Sequence, residues 1–536
     1  MVGRPAVLTA MRESETPSNT RTVAKNFAWS GIEVFVSIVA TLATTVAVAR
    51  VIGPQRLGYF NYVYWLGSTT GMVGSLGIPM MTFKYMAEFL GAGKPALARS
   101  VFSRSLAIQS AIAVALASVG EALVFTIGDP NYRWVSAFLV LSIIPQMITF
   151  IPSQANAAAE NLAANTRGSL IGMAINVAAV VLSLVMGWDL MGIAVGVFLY
   201  RSGELAAKLI PLQRWARTLP SVTLSPDIRR RMFTFSGRST GLMLLQILVW
   251  DRSDIIFLKM LQSDIKQIAF FSISFSLAER LLLLPQAFAN SLGATQMAQY
   301  GRDRNRLFRM TGLAATYMLM VSLPLLLGAA CLSGPIVRVL YGPQYFPAIS
   351  VFALVAVFAI PKGILGPAQT LLYSMEELGF LLKWGCACGA LNVLLDIVLI
   401  PHHAAFGAAI ANGTAQTMAA AGIWWYAIRR HPLGLQPKIL LKLTAASLGM
   451  SILVLIATFP PMPVAVKAAL GVLTGAVVFV LLLRLIAVLP QEDRQRFLLI
   501  DRSLPGSLRP WFRCLVNFVI PAAATTENAE SNLPLV

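Results

Sequence analysis

Several charged side chains lie inside runs of residues that are otherwise hydrocarbon-like, and their types and spacing limit what chemistry this chain can do. Arg201, Glu204 and Lys208 stand at i, i+3 and i+7, which places all three on one face of a helix. Arg238 and Arg252 are fourteen residues apart, within about 40° of each other on a continuous helix. Asp251 and Asp254 share a neighbouring stripe. Glu279 and Arg280 sit near the middle of another apolar run, Lys362 near the middle of a third, and Glu33 in the inner third of the first. A charge at the bilayer centre costs about 2.5–3.5 kcal/mol, so this set facing lipid would cost on the order of 20 kcal/mol, more than the net stability of most proteins. The expectation is a wet cavity. Lys208, Asp396 and Glu33 are exceptions, because each is close enough to a helix end to reach the interface.

A cavity with excess cation suits an anionic cargo. Guanidinium groups bind phosphate through paired hydrogen bonds and a permanent charge, so Arg201, Arg238, Arg252, Arg280 and Lys362 are the candidate substrate-binding set. Membrane-buried carboxylates can take up H⁺ or Na⁺ and couple its entry to a conformational change. Glu33, Asp254 and Glu279 are the candidates for that role. The competing account is helix-to-helix ion pairing with no transport role, in particular Glu279 with Arg280 or Arg201 with Glu204.

Other chemistry is poorly served. The segment GAGKP at 91–95 lacks the spacing and the Ser/Thr of a phosphate loop. Neither H-E-x-x-H nor G-x-S-x-G occurs. Cys331, Cys386, Cys388 and Cys514 lie in or beside apolar segments without further ligands nearby, so they are expected to be small buried hydrophobes. His402 and His403 fall in a short outer loop. Neither an enzyme, a cofactor nor a resident metal is expected.

The elements that position these residues follow from composition. Of 536 residues, 57% are hydrophobic and 12% charged, and the mean hydropathy is +0.71. A soluble fold cannot hide that much apolar surface. Runs of some twenty apolar residues recur along the chain, long enough for a hydrocarbon core of about 30 Å, and in lipid such runs must be helices. The expected spans are 28–49, 59–79, 105–127, 134–156, 168–188, 190–210, 236–258, 268–292, 310–331, 347–373, 380–400, 405–427, 440–459 and 464–488. The expected fold is therefore an all-α membrane protein of about 14 transmembrane helices.

The net charge of +19 would suggest nucleic acid on a soluble protein. Here an N-terminus inside gives the inner segments about 26 Lys/Arg and the outer ones about 7, the asymmetry of an inner-membrane protein with both termini cytoplasmic. No nucleic-acid partner is expected. Segment 491–513 interleaves Arg494, Arg496, Arg502, Arg509 and Arg513 with Phe497, Leu498, Ile500 and Trp511, a pattern suited to the cytoplasmic lipid surface.

An internal repeat is present. Pro145, Pro152, Gln154, Asn176 and Gly192 recur about 215 residues later as Pro361, Pro367, Gln369, Asn392 and Gly407. Six helices per repeat gives two like-oriented lobes related by a pseudo-twofold axis along the membrane normal, an arrangement typical of transporters. The expected organisation is a cytoplasmic tail 1–26, an N-lobe 27–212, a linker 213–235, a C-lobe 236–430, two further helices in 431–490 and a basic tail 491–536. In the last pair Gly471 and Gly475 form a G-x-x-x-G, for which helix packing is a sufficient explanation.

Three stretches carry a family resemblance. AKNFAWSGIEVF followed by VARVIGPQRLGYFNYV contains a turn at Arg50, Gly53, Pro54 and Gly58; DIIFL from Asp254 leads to FFSISFSLAERLLLLPQAF; LYGPQYFPAISVFALVAV leads to GALNVLLDIVLIP and FGAAIA. In order and spacing they resemble the first, seventh to eighth and tenth to twelfth helices of the polysaccharide transporters (O-antigen and exopolysaccharide flippases) of the multidrug/oligosaccharidyl-lipid/polysaccharide exporter superfamily. Phe270-Phe271 departs from the Gly-Tyr or similar pair usual there. The resemblance implies two six-helix lobes, inward-to-outward rocking, and translocation of an undecaprenyl-diphosphate-linked oligosaccharide across the bacterial inner membrane. A polysaccharide polymerase and glycosyltransferases are the partners it implies. The rivals are a multidrug exporter, whose cationic cargo wants an acidic cavity, a peptidoglycan lipid II flippase, and a scaffold for glycosyltransferases.

Overall fold

The computed structural model describes residues 19–159, 161–251, 253–262, 264–300, 304–375, 377–501 and 509–521. Every regular element among them is a helix. Helix α1 (Asn19–Gly74) contains the first two expected spans, joined across a kink where Gly53 has φ 74°. Glycine reaches that backbone region without strain, and Pro54, which has no N–H to donate, restarts the helix in the next position. The second span ends at Gly74, earlier than expected, because a turn at Ser75–Gly77 intervenes before α2 (Ile78–Gly91). Gly77 has φ 65°, and a Cβ there would lie 2.5 Å from the Ser236 carbonyl oxygen. Only glycine fits.

Helix α3 (Pro95–Ile127) has 33 residues, about 50 Å at 1.5 Å per residue, so it projects beyond a bilayer core. The fourth span is broken at Ser142 into α4 (Arg133–Leu141) and α5 (Ile143–Ala158). It is followed by α6 (Leu162–Met186) and α7 (Asp189–Arg217). The seventh span is also broken, into α8 (Pro226–Trp250) and α9 (Asp254–Leu261). Next come α10 (Lys266–Tyr300), α11 (Arg304–Cys331) and α12 (Ser333–Tyr341). The tenth span, the repeat partner of the fourth, is likewise interrupted, at Ile364, between α13 (Ala348–Gly363) and α14 (Leu365–Ser374). Helix α15 (Leu378–Arg430) merges two spans across a kink at Ala404, and it carries His402 and His403 as exposed helical residues where a loop was expected. The chain continues with α16 (Pro437–Thr458), α17 (Val464–Leu485), α18 (Gln491–Asp501) and α19 (Arg509–Val519).

Among the described residues, ten helical stretches are long and apolar enough to cross a membrane by length and composition. Two of these, 38–74 and 379–430, hold two expected spans each. With α8–α9 and α10 as the seventh and eighth, all fourteen expected spans have a helix. Apolar side chains left on the surface, such as Val185 at 77% and Phe459 at 86% exposure, are what a lipid-facing surface requires.

Packing groups the helices into two compact units. One comprises the described residues up to Ile273 with Gly385–Asn412; the other comprises Ser274–Trp384 with the described residues from Gly413 onward. This division differs from the repeat-based lobes 27–212 and 236–430, which remain a proposal about evolutionary units. In the first unit a cluster around Tyr85, Met86, Phe102 and Ile151 joins α2, α3 and α5. Small residues let α6 and α7 approach closely. A Cβ on Gly196 would lie 2.8 Å from that of Ala179, and one on Gly203 would lie 2.2 Å from the Ile175 side chain. In the second unit Leu332, Met450 and Val454 form one apolar cluster, and Leu443, Leu483 and Val488 another.

Candidate functional site

Arg201 lies on α7 and is 6% exposed. Its Nη2 donates to the Tyr64 hydroxyl at 2.8 Å and to Ser68 Oγ at 3.4 Å. Tyr64 and Ser68 are one turn apart on the second half of α1, so a single helix face supplies both acceptors. The guanidinium also stands over the rings of Tyr64, at 5.3 Å, and Tyr200, at 5.6 Å. Among the described residues no carboxylate lies within 4 Å of it. Its Nε has no hydrogen-bond partner. Neutral hydroxyls and aromatic faces hold the guanidinium, and Glu204, bonded to Lys208, acts on it only at longer range.

The pairing of Arg201 with Glu204 that the competing account requires does not form. Glu204 pairs instead with Lys208, one turn further along α7, at 2.6 Å. Lys208 also donates to Ser153 Oγ at 3.3 Å, and its stem lies over Gly168, where a Cβ would come within 2.4 Å of Lys208 Cγ. Lys208 is 5% exposed. It is held inside the protein by a partly buried carboxylate within hydrogen-bond distance.

A second buried polar group in the same unit surrounds the break between α8 and α9. Asp254 opens α9 and is fully buried, as is Asp396 on α15. Their side chains are within hydrogen-bonding reach of each other. Asn412 Nδ2 donates to Asp254 Oδ2 at 2.8 Å and to the Asp251 carbonyl at 3.2 Å. Asn392 Nδ2 donates to Ser253 Oγ at 3.3 Å and to Asp396 Oδ2 at 3.5 Å. Asp396, set aside in the sequence as able to reach the interface, is buried within the protein beside Asp254. Two carboxylates in contact in a low-dielectric setting repel, and both stay ionised only beside a counter-charge. Asp254 appears in the sequence reading, but its partners do not. The available signal was Asn392 and Asp396 at i, i+4 on one face, with Asn392 already marked by the internal repeat.

In the second unit Lys362 Nζ is 3.8 Å from Glu279 Oε1 and stands over the Phe275 ring at 5.4 Å. The carboxylate of Glu279 is thus paired with Lys362 and not, as the competing account has it, with Arg280; consecutive helical residues point about 100° apart. Arg280 is within electrostatic reach of Tyr341. Arg238 is exposed on α8. Its expected alignment with Arg252 assumed a continuous helix, but α8 ends at Trp250, and Arg252 lies outside the described residues. So does the side chain of Glu33, although α1 carries its backbone. The structure therefore brings Arg201, Asp254 and their partners into one unit and Glu279, Arg280 and Lys362 into the other.

Comparison with known proteins fits this architecture. Residues 47–350 match the family model described as "Polysaccharide biosynthesis protein". A curated relative, the succinoglycan biosynthesis transport protein ExoT of Rhizobium meliloti (strain 1021), is 22% identical over 68% of this chain and 71% of its own length. Among solved structures, a lipid II flippase MurJ in an inward closed conformation is similar with a TM-score of 0.68, at 16% identity, over 84% of this chain and 97% of that one. A multidrug resistance MATE family transporter of the MOP superfamily in an inward-facing conformation reaches 0.61 at 14% identity, over 73% of this chain and 94% of that one. A MOP superfamily transporter from Pyrococcus furiosus reaches 0.57 at 14% identity, over 77% of this chain and 97% of that one. These likenesses establish the two-lobed fold of that superfamily, and the match over more than half of its length makes this chain a member of the polysaccharide biosynthesis protein family.

Proposed function

We propose that the protein is a flippase that moves a polyprenyl-diphosphate-linked oligosaccharide across the bacterial inner membrane by alternating access, with no enzymatic step of its own. The observation that carries this reading is Arg201, a buried cation whose described partners are hydroxyls and aromatic rings rather than a carboxylate. A guanidinium so held keeps its full charge available, and a diphosphate can satisfy it bidentately. The family match supports the polysaccharide setting, as does the transport role named for the succinoglycan relative. Arg238, Arg252, Arg280 and Lys362 are the further candidates for binding the cargo. The termini lie on the cytoplasmic side, where glycosyltransferases make the cargo; a polymerase takes it on the other side.

Driving force comes from H⁺ or Na⁺ at the Asp254–Asp396 pair. Occupancy neutralises the two carboxylates and tightens the amides of Asn392 and Asn412 around them, which favours the conformation in which α9 and α15 are drawn together. Glu33 and Glu279 are further candidates for coupling. The lipid II flippase reading shares the anionic cargo and has the 0.68 TM-score in its favour. A cationic drug as cargo is disfavoured by Arg201. The test is deletion of the gene followed by leaflet-resolved assay of lipid-linked oligosaccharide. The expected result is accumulation in the inner leaflet, rescued by the wild type and not by Arg201→Gln. Accumulation in the outer leaflet overturns the proposal, and accumulation of lipid II instead selects the second reading.

A further inference from the structure

The helix that supplies Arg201 with its two hydroxyl partners is fastened at both ends. After the kink at Gly53, the second half of α1 runs to Gly74, and it carries Tyr64 and Ser68 between two close approaches to the segment α8–α10. At one end a Cβ on Gly58 would lie 2.2 Å from the Ile265 carbonyl oxygen and 3.6 Å from the Ala269 nitrogen. Beside it, Lys259 of α9 stands over the Tyr62 ring at 5.8 Å. At the other end a Cβ on Gly77 would lie 2.5 Å from the Ser236 carbonyl oxygen and 2.9 Å from Ser239 Cβ. There the Ser236 hydroxyl donates to the Leu76 carbonyl. The helix from Gly58 to Gly74 covers about 24 Å at 1.5 Å per residue, so the two approaches lie toward opposite faces of a hydrocarbon core of about 30 Å. Neither admits a side chain.

Between these ends the donors of Arg201 are covered. A phosphate is gripped by two adjacent N–H groups of a guanidinium, and Nη2 belongs to both edges that can offer such a pair. That nitrogen donates to Tyr64 and Ser68, while Nε is buried and without a partner. Hydroxyl oxygens therefore stand where phosphate oxygens would. Each hydroxyl can also donate, so Tyr64 and Ser68 can turn from accepting from Arg201 to donating to an anion. The end at Gly77 has a built-in tendency to move. Leu76 has φ 48° and Gly77 φ 65°, and the first of these strains a residue with a Cβ. The fit of Gly77 on α8 and the Ser236 hydroxyl hold the turn in that shape, so parting from α8 relieves it.

We propose that the second half of α1 is a lid over Arg201, with Gly58 and Gly77 as its two closing points, and that Tyr64 and Ser68 hold the guanidinium in place of the cargo phosphate while both points are shut. In the proposed orientation, parting at Gly77 opens the site toward the cytoplasm and parting at Gly58 opens it toward the opposite side. The proposal rests on Arg201 as the cargo site. The competing account is that both glycines serve only close helix packing, which gives a bulkier residue no reason to open one side rather than the other.

The reporter is Ser68→Cys in a full-length background carrying Cys331→Ala, Cys386→Ala, Cys388→Ala and Cys514→Ala. Its rate of labelling by an anionic, membrane-impermeant methanethiosulfonate is measured on right-side-out and on inverted membrane vesicles. The reporter protein should be labelled slowly from either side. Gly77→Val should raise the rate about tenfold or more from one side only, and Gly58→Val should do so from the other side only. Melting temperatures identify misfolded variants. Ser236→Ala, which removes the hydroxyl without adding bulk, replaces Gly77→Val in that case, with about a threefold rise expected; Gly58→Ala replaces Gly58→Val. Rates unchanged by substitution at both ends overturn the proposal, as do rates raised equally from both sides. Rapid labelling of the reporter protein from both sides overturns it too. Labelling requires no cargo, so a failure of the cargo assignment shows separately, as export that survives Arg201→Gln.

Discussion

Arg201 and Lys208 stand seven residues apart on the same face of α7, both almost fully buried, yet their surroundings differ. Lys208 has a carboxylate at 2.6 Å and a serine at 3.3 Å; Arg201 has two hydroxyls and two aromatic rings. A buried cation compensated by its own carboxylate is a finished structural element. One held by neutral groups keeps its field for something that arrives later. Sequence spacing alone ranks the two together; the partner at each position separates them.

The comparison can be broken by removing one charge at a time. Lys208→Met leaves the partly buried Glu204, 17% exposed, without its cation, and the expected cost is about 1–3 kcal/mol, visible as loss of folded protein in fluorescence-detected size exclusion. Arg201→Gln keeps hydrogen bonding to Tyr64 and removes the charge; protein level should stay near wild type while export of polysaccharide falls by roughly tenfold or more, equivalent to at least about 1.4 kcal/mol. If instead Arg201→Gln abolishes folding and Lys208→Met does not, the assignment of roles reverses. Gly196→Val probes the helix contact that holds this face in place. Overpacking against Ala179 should cost about 1–3 kcal/mol, seen as a lower melting temperature, with activity per folded molecule retained.

The smallest effect sharpens the comparison outside the membrane segments. His431 follows the end of α15, is 8% exposed, and stacks on Phe308 at 5.1 Å. Its Nε2 is 3.9 Å from Glu377 Oε1. Burial lowers its pKa below the usual 6.5, with Glu377 acting in the opposite sense. A lowered folded-state pKa means the neutral ring is favoured, so its contribution to stability is complete above pH 6.5 and is lost as pH falls through that value towards the folded one. Melting curves between pH 7.5 and 5.5 should show this decline, and His431→Gln should flatten it slightly. A slope unchanged in the variant removes His431 from the account.

Much of the fold was legible because lipid imposes one rule on the backbone. Every apolar run of sufficient length became helix, including the 22-residue α17. The interruptions were harder to read. The break at 251–253 interrupts a segment whose apolar periodicity runs on into α9, and it is set by tertiary contacts from Asn392 and Asn412 that lie some 140–160 residues away. The identity of the charged residues was legible, since each is costly in lipid, but their partners were not. Glu204 had Arg201 at i−3 and Lys208 at i+4, equally placed by helical spacing; Ser153 and Gly168, on neighbouring helices, decide for Lys208. Asp396 was set aside as able to reach the interface because position along the span says nothing of Asp254 and Asn392 packed beside it.

Ala404 adopts φ 48° and ψ −128° in the middle of α15, a backbone state that costs a residue with a Cβ on the order of 1–3 kcal/mol. Asn392 and Asp396 precede this corner and Asn412 follows it, so the two arms that grip the buried acids meet at a sprung joint. An alanine there makes the bent shape tense, where glycine would leave it slack.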